Sequence, residues 1–190
     1  MLNSDKIKMD KNKLIADVLG DKSEDNFSLK DYSFDRRYAY ISMVASLAWS
    51  DGSIDERERA ILEEITMELG EDIQVVLMTV INETKDFDIV NFNKWVGKIT
   101  GMKMKVSLMA DLLLTAFADS IYMQAENFYM KYVSGKLGIN FNLYQKIFRI
   151  VHKYMEEVQA QKEKEELEKT YLESEKNNGI IHRFVNSIIN

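Results

Sequence analysis

The chain has 190 residues and a formal net charge of −6, with no proline and no cysteine. The lack of cysteine excludes disulfides, thiolate zinc sites and a cysteine nucleophile. The acidic balance disfavours binding to nucleic acid, which depends on Lys and Arg contacts to phosphates. Hydrophobic residues make up 46% of the chain, yet no apolar run is long enough to span a bilayer. The N-terminal segment lacks a signal-peptide core, so the composition predicts a cytoplasmic protein.

The first segment, residues 1–33, is polar and charged and predicts an N-terminal arm. It contains one short helix, over about 14–19, which Gly20 should end. The stretch DKSEDNFSLKDYS that follows is typical of a turn or linker.

A helical domain is predicted over 34–155. Its first helix runs from Phe34 to a corner at 50–52, where an Asp-Gly pair interrupts the helical pattern. Asp55, with Glu58 three positions on, has the spacing of a capping box that starts the next helix. Gly70 follows Leu69 where a C-cap glycine belongs. Two further helices are predicted, over about 73–81 and 90–99.

The same pattern returns 68 residues later. Trp49 then matches Phe117, and Gly70 matches Gly138. The unit of helix, acidic turn, helix, Leu-Gly stop and helix occurs over about 38–80 and again over about 106–148. We therefore expect an all-α bundle built from two pseudo-symmetric three-helix repeats that face each other across an approximate two-fold axis.

A charged extension follows over 156–190. Its first part, 156–176, holds eight Glu and four Lys, which is typical of a solvated or projecting helix. Asn177, Asn178 and Gly179 are predicted to break that helix. In the last segment four apolar residues share one helical face and form a predicted partner-binding surface: Ile181, Phe184, Val185 and Ile188. This face could dock onto the domain itself, onto a second copy or onto another protein; membrane binding is disfavoured because few cations flank it.

The acidic turns carry the site predictions. Asp51 and Asp119 occupy matching positions near helix C-termini, where a negative side chain opposes the helix dipole and needs compensation. Glu58 and Glu126 match in the first turn of the helix that follows each corner. In one interpretation these acids are structural: each Asp makes an Asx-turn, and each Glu complements the helix dipole.

The other interpretation is a cation site. Asp51, Asp55 and Glu58 can converge across one tight corner, and carboxylate oxygens suit Ca²⁺ or Mg²⁺. The corner is not an EF-hand, whose glycine stands sixth in the loop. The second copy is poorer, because Ser120 replaces glycine and Met123 replaces Asp55. A combined site that joins Asp51 and Glu58 to Asp119 and Glu126 across the pseudo-axis is also open.

These residues resemble the TerB-like family, which includes the tellurite-resistance TerB proteins and the N-terminal domain of DjlA-type co-chaperones. The stretch ASLAWSDGSIDERE carries the motif, and TAFADSIYMQAE repeats it with departures. The resemblance implies an all-helical fold of about seven helices with acidic residues clustered between the halves. It implies divalent-cation binding at Asp51, Glu58, Asp119 and Glu126, with Asp55 as a further ligand, and a place in bacterial stress-response or phage-defence complexes.

No arrangement of Ser, base and orienting acid suggests a catalytic triad. We therefore expect a non-enzymatic interaction module whose contacts are tuned by a divalent cation. The alternative is a structural adaptor or oligomerisation protein in which the acids only cap helices.

Overall fold

The structure, a computed structural model, describes residues 9–20, 27–86, 88–118 and 124–189, with side chains throughout except at 124–126 and 174–189. Within these ranges the regular structure is entirely helical, which confirms the all-α prediction. The helices are α1 Lys11–Leu19, α2 Phe34–Ala48, α3 Glu56–Leu69, α4 Glu71–Thr84, α5 Ile89–Lys98, α6 Met102–Ala116, α7 Gln124–Leu137 and α8 Phe141–Ile189, with a short 3-10 helix at Leu29–Asp31. None of the described helices is both long enough and apolar enough to cross a bilayer.

Two helices, α2 and α6, form the centre of the core. Every side chain of α2 over 39–48 is buried, and so is every side chain of α6 over 106–113. A helix that is buried on all sides must be surrounded by other helices. Accordingly α2 packs against α3, α4, α5 and α6, while α6 also packs against α1, α3 and α7.

The N-terminal helix α1 belongs to this core. Asp10 caps it by accepting a hydrogen bond from the Lys13 N–H at 3.0 Å. Gly20 ends it in the left-handed region, at φ 69°. The apolar face of α1 is buried against α6. The compact unit therefore runs over Lys8–His152 and includes a helix that the sequence analysis assigned to a polar arm.

Helix bounds recur with the offset seen in the sequence. α2 and α6 each have 15 residues, and α6 begins 68 residues after α2. α3 and α7 each have 14 residues and begin with the same offset. The ends of the first pair match as well: Trp49 N–H bonds the carbonyls of Ala45 and Leu47, and Phe117 N–H bonds those of Leu113 and Thr115.

The last helix, α8, is continuous over Phe141–Ile189 for 49 residues. The predicted break at Asn177, Asn178 and Gly179 is therefore wrong. A glycine inside a helix costs about 1 kcal/mol relative to alanine and an asparagine less, which good helix formers on either side can offset. The chain divides within this helix, and Lys153–Asn190 lies in a second unit.

Candidate functional site

The corner at 50–55 is exposed and held by its own acids. Asp51 Oδ1 accepts a hydrogen bond from the Ser53 N–H at 2.9 Å. This is the Asx-turn of the structural interpretation. Gly52 has φ 92°, a conformation that suits glycine. The side chains of Asp51 and Asp55 both face solvent.

The capping box at the start of α3 is complete. Asp55 Oδ1 accepts from the Glu58 N–H at 2.7 Å, and Glu58 Oε2 accepts from the Asp55 N–H at 2.9 Å. Both side chains therefore satisfy backbone donors that the first helical turn leaves without partners. One oxygen of each carboxylate is committed to a cap, so a cation at this corner would compete for part of its ligand set.

The second acidic turn lies outside the described residues. Asp119 is not described, nor is the side chain of Glu126, so the combined site across the repeats stays a prediction. Within the part of the chain that is described, no three His, Asp or Glu side chains come together in a group able to hold a metal ion.

A different group of charges meets inside the core. Lys11 of α1 places its Nζ 2.6 Å from Asp111 Oδ2 of α6 and 2.5 Å from Glu68 Oε2 of α3. The Asp111 side chain is 1% exposed and the Lys11 side chain 10%. Two carboxylates thus share one ammonium group in a region from which water is largely excluded.

Tyr40 of α2 completes this network. Its hydroxyl donates to Asp111 Oδ2 at 2.7 Å and lies 2.9 Å from Ser107 Oγ. Every described buried polar side chain in the structure has a hydrogen-bond partner. The buried charge network, defined as Lys11, Tyr40, Glu68, Ser107 and Asp111, therefore ties four helices together through satisfied polar contacts.

The environment shifts the titration of these groups. Burial raises the pKa of Asp111, and the neighbouring Glu68 adds to the effect, while Lys11 opposes it. Burial alone would lower the pKa of Lys11, but the charges of Asp111 and Glu68 outweigh it and the net pKa is raised. Burial together with the Asp111 charge raises the pKa of Tyr40 well above its usual value. Lys11 is therefore held as a cation and Tyr40 as a neutral donor.

This network was missed by sequence reasoning. The signal was present as Asp111 in the middle of the apolar run VSLMADLLLTA, where a lone carboxylate on a buried helix requires a cation. Its partner lies 100 residues away in sequence, and no periodicity of α1 distinguishes Lys11 from the exposed Lys13. The network can hold helices together and orient protons, but it encloses no cleft that would admit a substrate.

A second pair of cations repeats at the predicted offset. Arg37 Nη1 donates to the Leu69 carbonyl at 2.6 Å, and Lys105 Nζ donates to the Leu137 carbonyl at 2.6 Å. Each cation comes from the first turns of α2 or α6 and satisfies the last turn of α3 or α7. Placing a positive charge there is favourable because the helix dipole is negative at that end.

Arg37 also fixes the start of α4. It forms a two-point contact with the Asp72 carboxylate at 2.6 and 2.8 Å, and this hydrogen bonding lowers the pKa of Asp72. Gly70, between the two helices, has φ 116°, and a Cβ at that position would come within 2.8 Å of Arg37 Nη1. The Leu-Gly stop seen in the sequence is therefore required by both conformation and space.

The predicted partner-binding residues Ile181, Phe184, Val185 and Ile188 fall within α8, but their side chains lie outside the described set. The part of α8 before them is solvated: every side chain over 159–173 is exposed. Pairs four residues apart support this segment, such as Gln159 with Glu163 at 3.0 Å. Among its exposed residues are Leu167, Tyr171 and Leu172, which are 71%, 62% and 56% exposed.

Comparison with known proteins gives no relative: no family model, no curated protein and no solved structure matches the chain. The TerB-like resemblance therefore stays a prediction that rests on the motif and on the recurring helix bounds.

Proposed function

We propose that this chain is a non-enzymatic helical interaction protein that binds other proteins through α8. The observation that carries the proposal is the run 159–173, in which 15 successive helical residues are exposed and three large apolar side chains face water. An exposed helix gains little from burial, and exposed apolar residues on it are suited to docking.

The acids of the first turn serve as caps in this proposal. The capping box of Asp55 and Glu58 and the Asx-turn of Asp51 give each carboxylate a structural task. This favours the adaptor alternative over the cation-tuned module. Divalent-cation binding, by Ca²⁺ or Mg²⁺, stays a prediction, to be tested by the corner variants described in the Discussion.

The duplicated TerB-like architecture is part of the proposal. Its support is the equal lengths of α2 and α6 and of α3 and α7, their common offset of 68 residues, and the matching caps by Arg37 and Lys105. Through the same resemblance we propose a role in a bacterial stress-response or phage-defence assembly.

The proposal is tested by comparing the full chain with a Phe184→Asp, Val185→Asp variant, which leaves the compact unit intact. Affinity purification from the native cells, followed by reconstitution of each captured protein with the purified chain, should give a complex that the variant fails to form. A matched variant, Glu166→Lys with Glu173→Lys, controls for altered charge on α8. If the double-aspartate variant forms every complex with unchanged affinity, the C-terminal face is not the docking surface.

A further inference from the structure

A groove of about 260 Å³ lies between α2 and α5, with walls formed by Phe34, Tyr38 and Trp95 and a border that carries Asp35, Lys94 and Lys98. Small-molecule pockets usually enclose about 300–1,000 Å³, so this groove, the α2–α5 groove, is too small for a typical cofactor. Its size suits one or two side chains of a protein partner.

The groove combines aromatic walls with positive charge. The ring of Phe34 is 41% exposed, and its centroid lies 5.8 Å from that of Tyr38. Tyr38 donates to Glu83 at 2.5 Å, which places one carboxylate beyond the aromatic wall. Lys94 and Lys98, with the neighbouring Arg36, outnumber the two acids Asp35 and Glu83, so the border is positive on a chain whose net charge is −6.

The lysines can accept a partner's carboxylate. Lys98 Nζ lies 2.9 Å from Asp35 Oδ2, but the two side chains are 51% and 69% exposed. Exposed ion pairs of this kind contribute little stability and exchange readily with other partners. Lys94 is exposed and bonds Asn91 at 3.3 Å, a long hydrogen bond.

The exposed segment of α8 carries the complementary chemistry. Leu167, Tyr171 and Leu172 share one face of the helix and are defined here as the Leu167 strip. At about 100° per residue, Glu165 and Glu168 border this strip, as does Lys164, which lies 4.0 Å from Glu168. Glu166 and Glu173 lie on the opposite face by the same geometry.

We propose that the α2–α5 groove of one copy of this chain receives the Leu167 strip of a second copy. The apolar side chains of the strip enter between the aromatic walls, and Glu165 and Glu168 face Lys94 and Lys98. The inference rests on the proposed docking role of α8 and assigns the receiving surface and the partner.

The contact has a defined symmetry and strength. Each copy offers one groove and one strip, so the association is head-to-tail and forms either a closed ring or an open chain. Three apolar side chains cover much less than the roughly 800 Å² per partner of a stable interface. The association is therefore weak and appears only at high protein concentration.

Sedimentation velocity over a range of concentrations, up to about millimolar, tests this with two full-length variants. Lys94→Glu with Lys98→Glu alters the groove, and Leu167→Ser with Tyr171→Ser alters the strip; both pairs lie at the surface, and circular dichroism checks that they fold. Association of the native chain should rise with concentration, and each variant alone should associate at least about tenfold more weakly. An equimolar mixture of the two variants should form a dimer that grows no further, because it retains only one intact groove and one intact strip.

Lys131→Glu with Lys146→Glu is the matched charge control and should associate like the native chain. Native protein that stays monomeric throughout overturns the inference. Association that the groove variant retains and the strip variant loses also overturns it, since the strip then binds elsewhere, but this outcome leaves the docking role of α8 in place. Loss of the captured partners in the Phe184→Asp, Val185→Asp variant with intact self-association would be independent of the groove.

Discussion

Asp111 lies in the middle of α6 with apolar neighbours on both sides in sequence, and Lys11 of α1 supplies its counter-charge at 2.6 Å. A pair of this kind adds little net stability when it forms, because removing both charges from water costs nearly as much as their attraction returns. Its effect is on specificity. An α1 helix packed in another register would leave Asp111 buried without a cation, so the pair fixes where α1 binds.

Lys11→Met tests this role. The substitution leaves the carboxylate of Asp111 buried beside Glu68, and we expect it to reduce the free energy of unfolding by about 3–5 kcal/mol. Chemical denaturation of the full chain measures the change.

The exposed neighbour Lys13→Met is the control and should change stability by less than about 0.5 kcal/mol. Lys11→Met combined with Asp111→Leu should recover part of the loss, because no unpaired Asp111 charge then remains. An effect of Lys11→Met no larger than that of Lys13→Met would contradict the network.

Alkaline pH provides a second test at single residues. Burial and the hydrogen bond to Glu83 raise the pKa of Tyr38 to about 12. Tyr38 thus holds its proton more tightly in the folded than in the unfolded chain, and its contribution to stability is complete below pH 10 and lost between about pH 10 and 12. Lys11 and Tyr40, whose pKa values are also raised, act in the same direction.

We therefore expect the free energy of unfolding to fall as the pH rises above 10, and Tyr38→Phe to make that fall shallower. Denaturation curves at intervals between pH 9 and 12 measure both slopes. Equal slopes in the native chain and in Tyr38→Phe would indicate that Tyr38 titrates alike in the folded and unfolded states.

At the scale of elements, the ends of the helices are specified more strongly than their middles. Asp55 and Glu58 start α3, Arg37 completes its last turn, and Gly70 separates it from α4. Each device satisfies backbone groups that a helix end leaves without partners. The same need explains why the acidic corner is rich in carboxylates without requiring a cation.

The cap and cation interpretations of Asp55 are separated by two substitutions. Asparagine caps a helix as well as aspartate, whereas alanine costs about 1 kcal/mol. We expect Asp55→Asn to keep the native melting temperature and Asp55→Ala to lower it, both unchanged by millimolar Ca²⁺ or Mg²⁺. Scanning calorimetry with and without each cation measures this.

A cation-dependent rise in melting temperature that is lost in Asp55→Asn, or in Asp51→Asn with Glu58→Gln, would instead establish the metal site. Titration calorimetry would then show a saturable heat for the native chain only.

At the scale of the whole molecule, the two units differ in how their helices are stabilised. In Lys8–His152, α2 and α6 are surrounded by other helices, so their hydrogen bonds open only when the core opens. In the segment 159–173 every side chain is exposed, and its stability comes from helix propensity and pairs four residues apart.

Hydrogen exchange should reflect this difference. We expect backbone amides over 159–173 to exchange at least about 100-fold faster than those over 39–48, because an exposed helix opens locally while the core requires global unfolding. Exchange followed by mass spectrometry at low protein concentration measures both segments in one experiment. Comparable protection of the two segments would mean that the α8 segment is covered in solution.

The local pattern of the chain predicted most of the helices, the capping box, the Gly70 stop and the 68-residue offset, because caps and periodicity act over a few residues and are written in the sequence. It failed at 177–179, where the flanking residues of α8 outweigh one glycine. It also failed at α1, whose short apolar face looked like part of a polar arm.

Tertiary structure alone decided what the charges do. Asp111 and Lys11 are 100 residues apart, and only the packing of α1 on α6 brings them together. Likewise the α2–α5 groove exists because two helices cross at a particular place, which no single helical pattern encodes. Local hydrogen bonding is specified by neighbours in the chain, whereas the pairing of buried charges and the shape of a surface depend on which distant helices share the core.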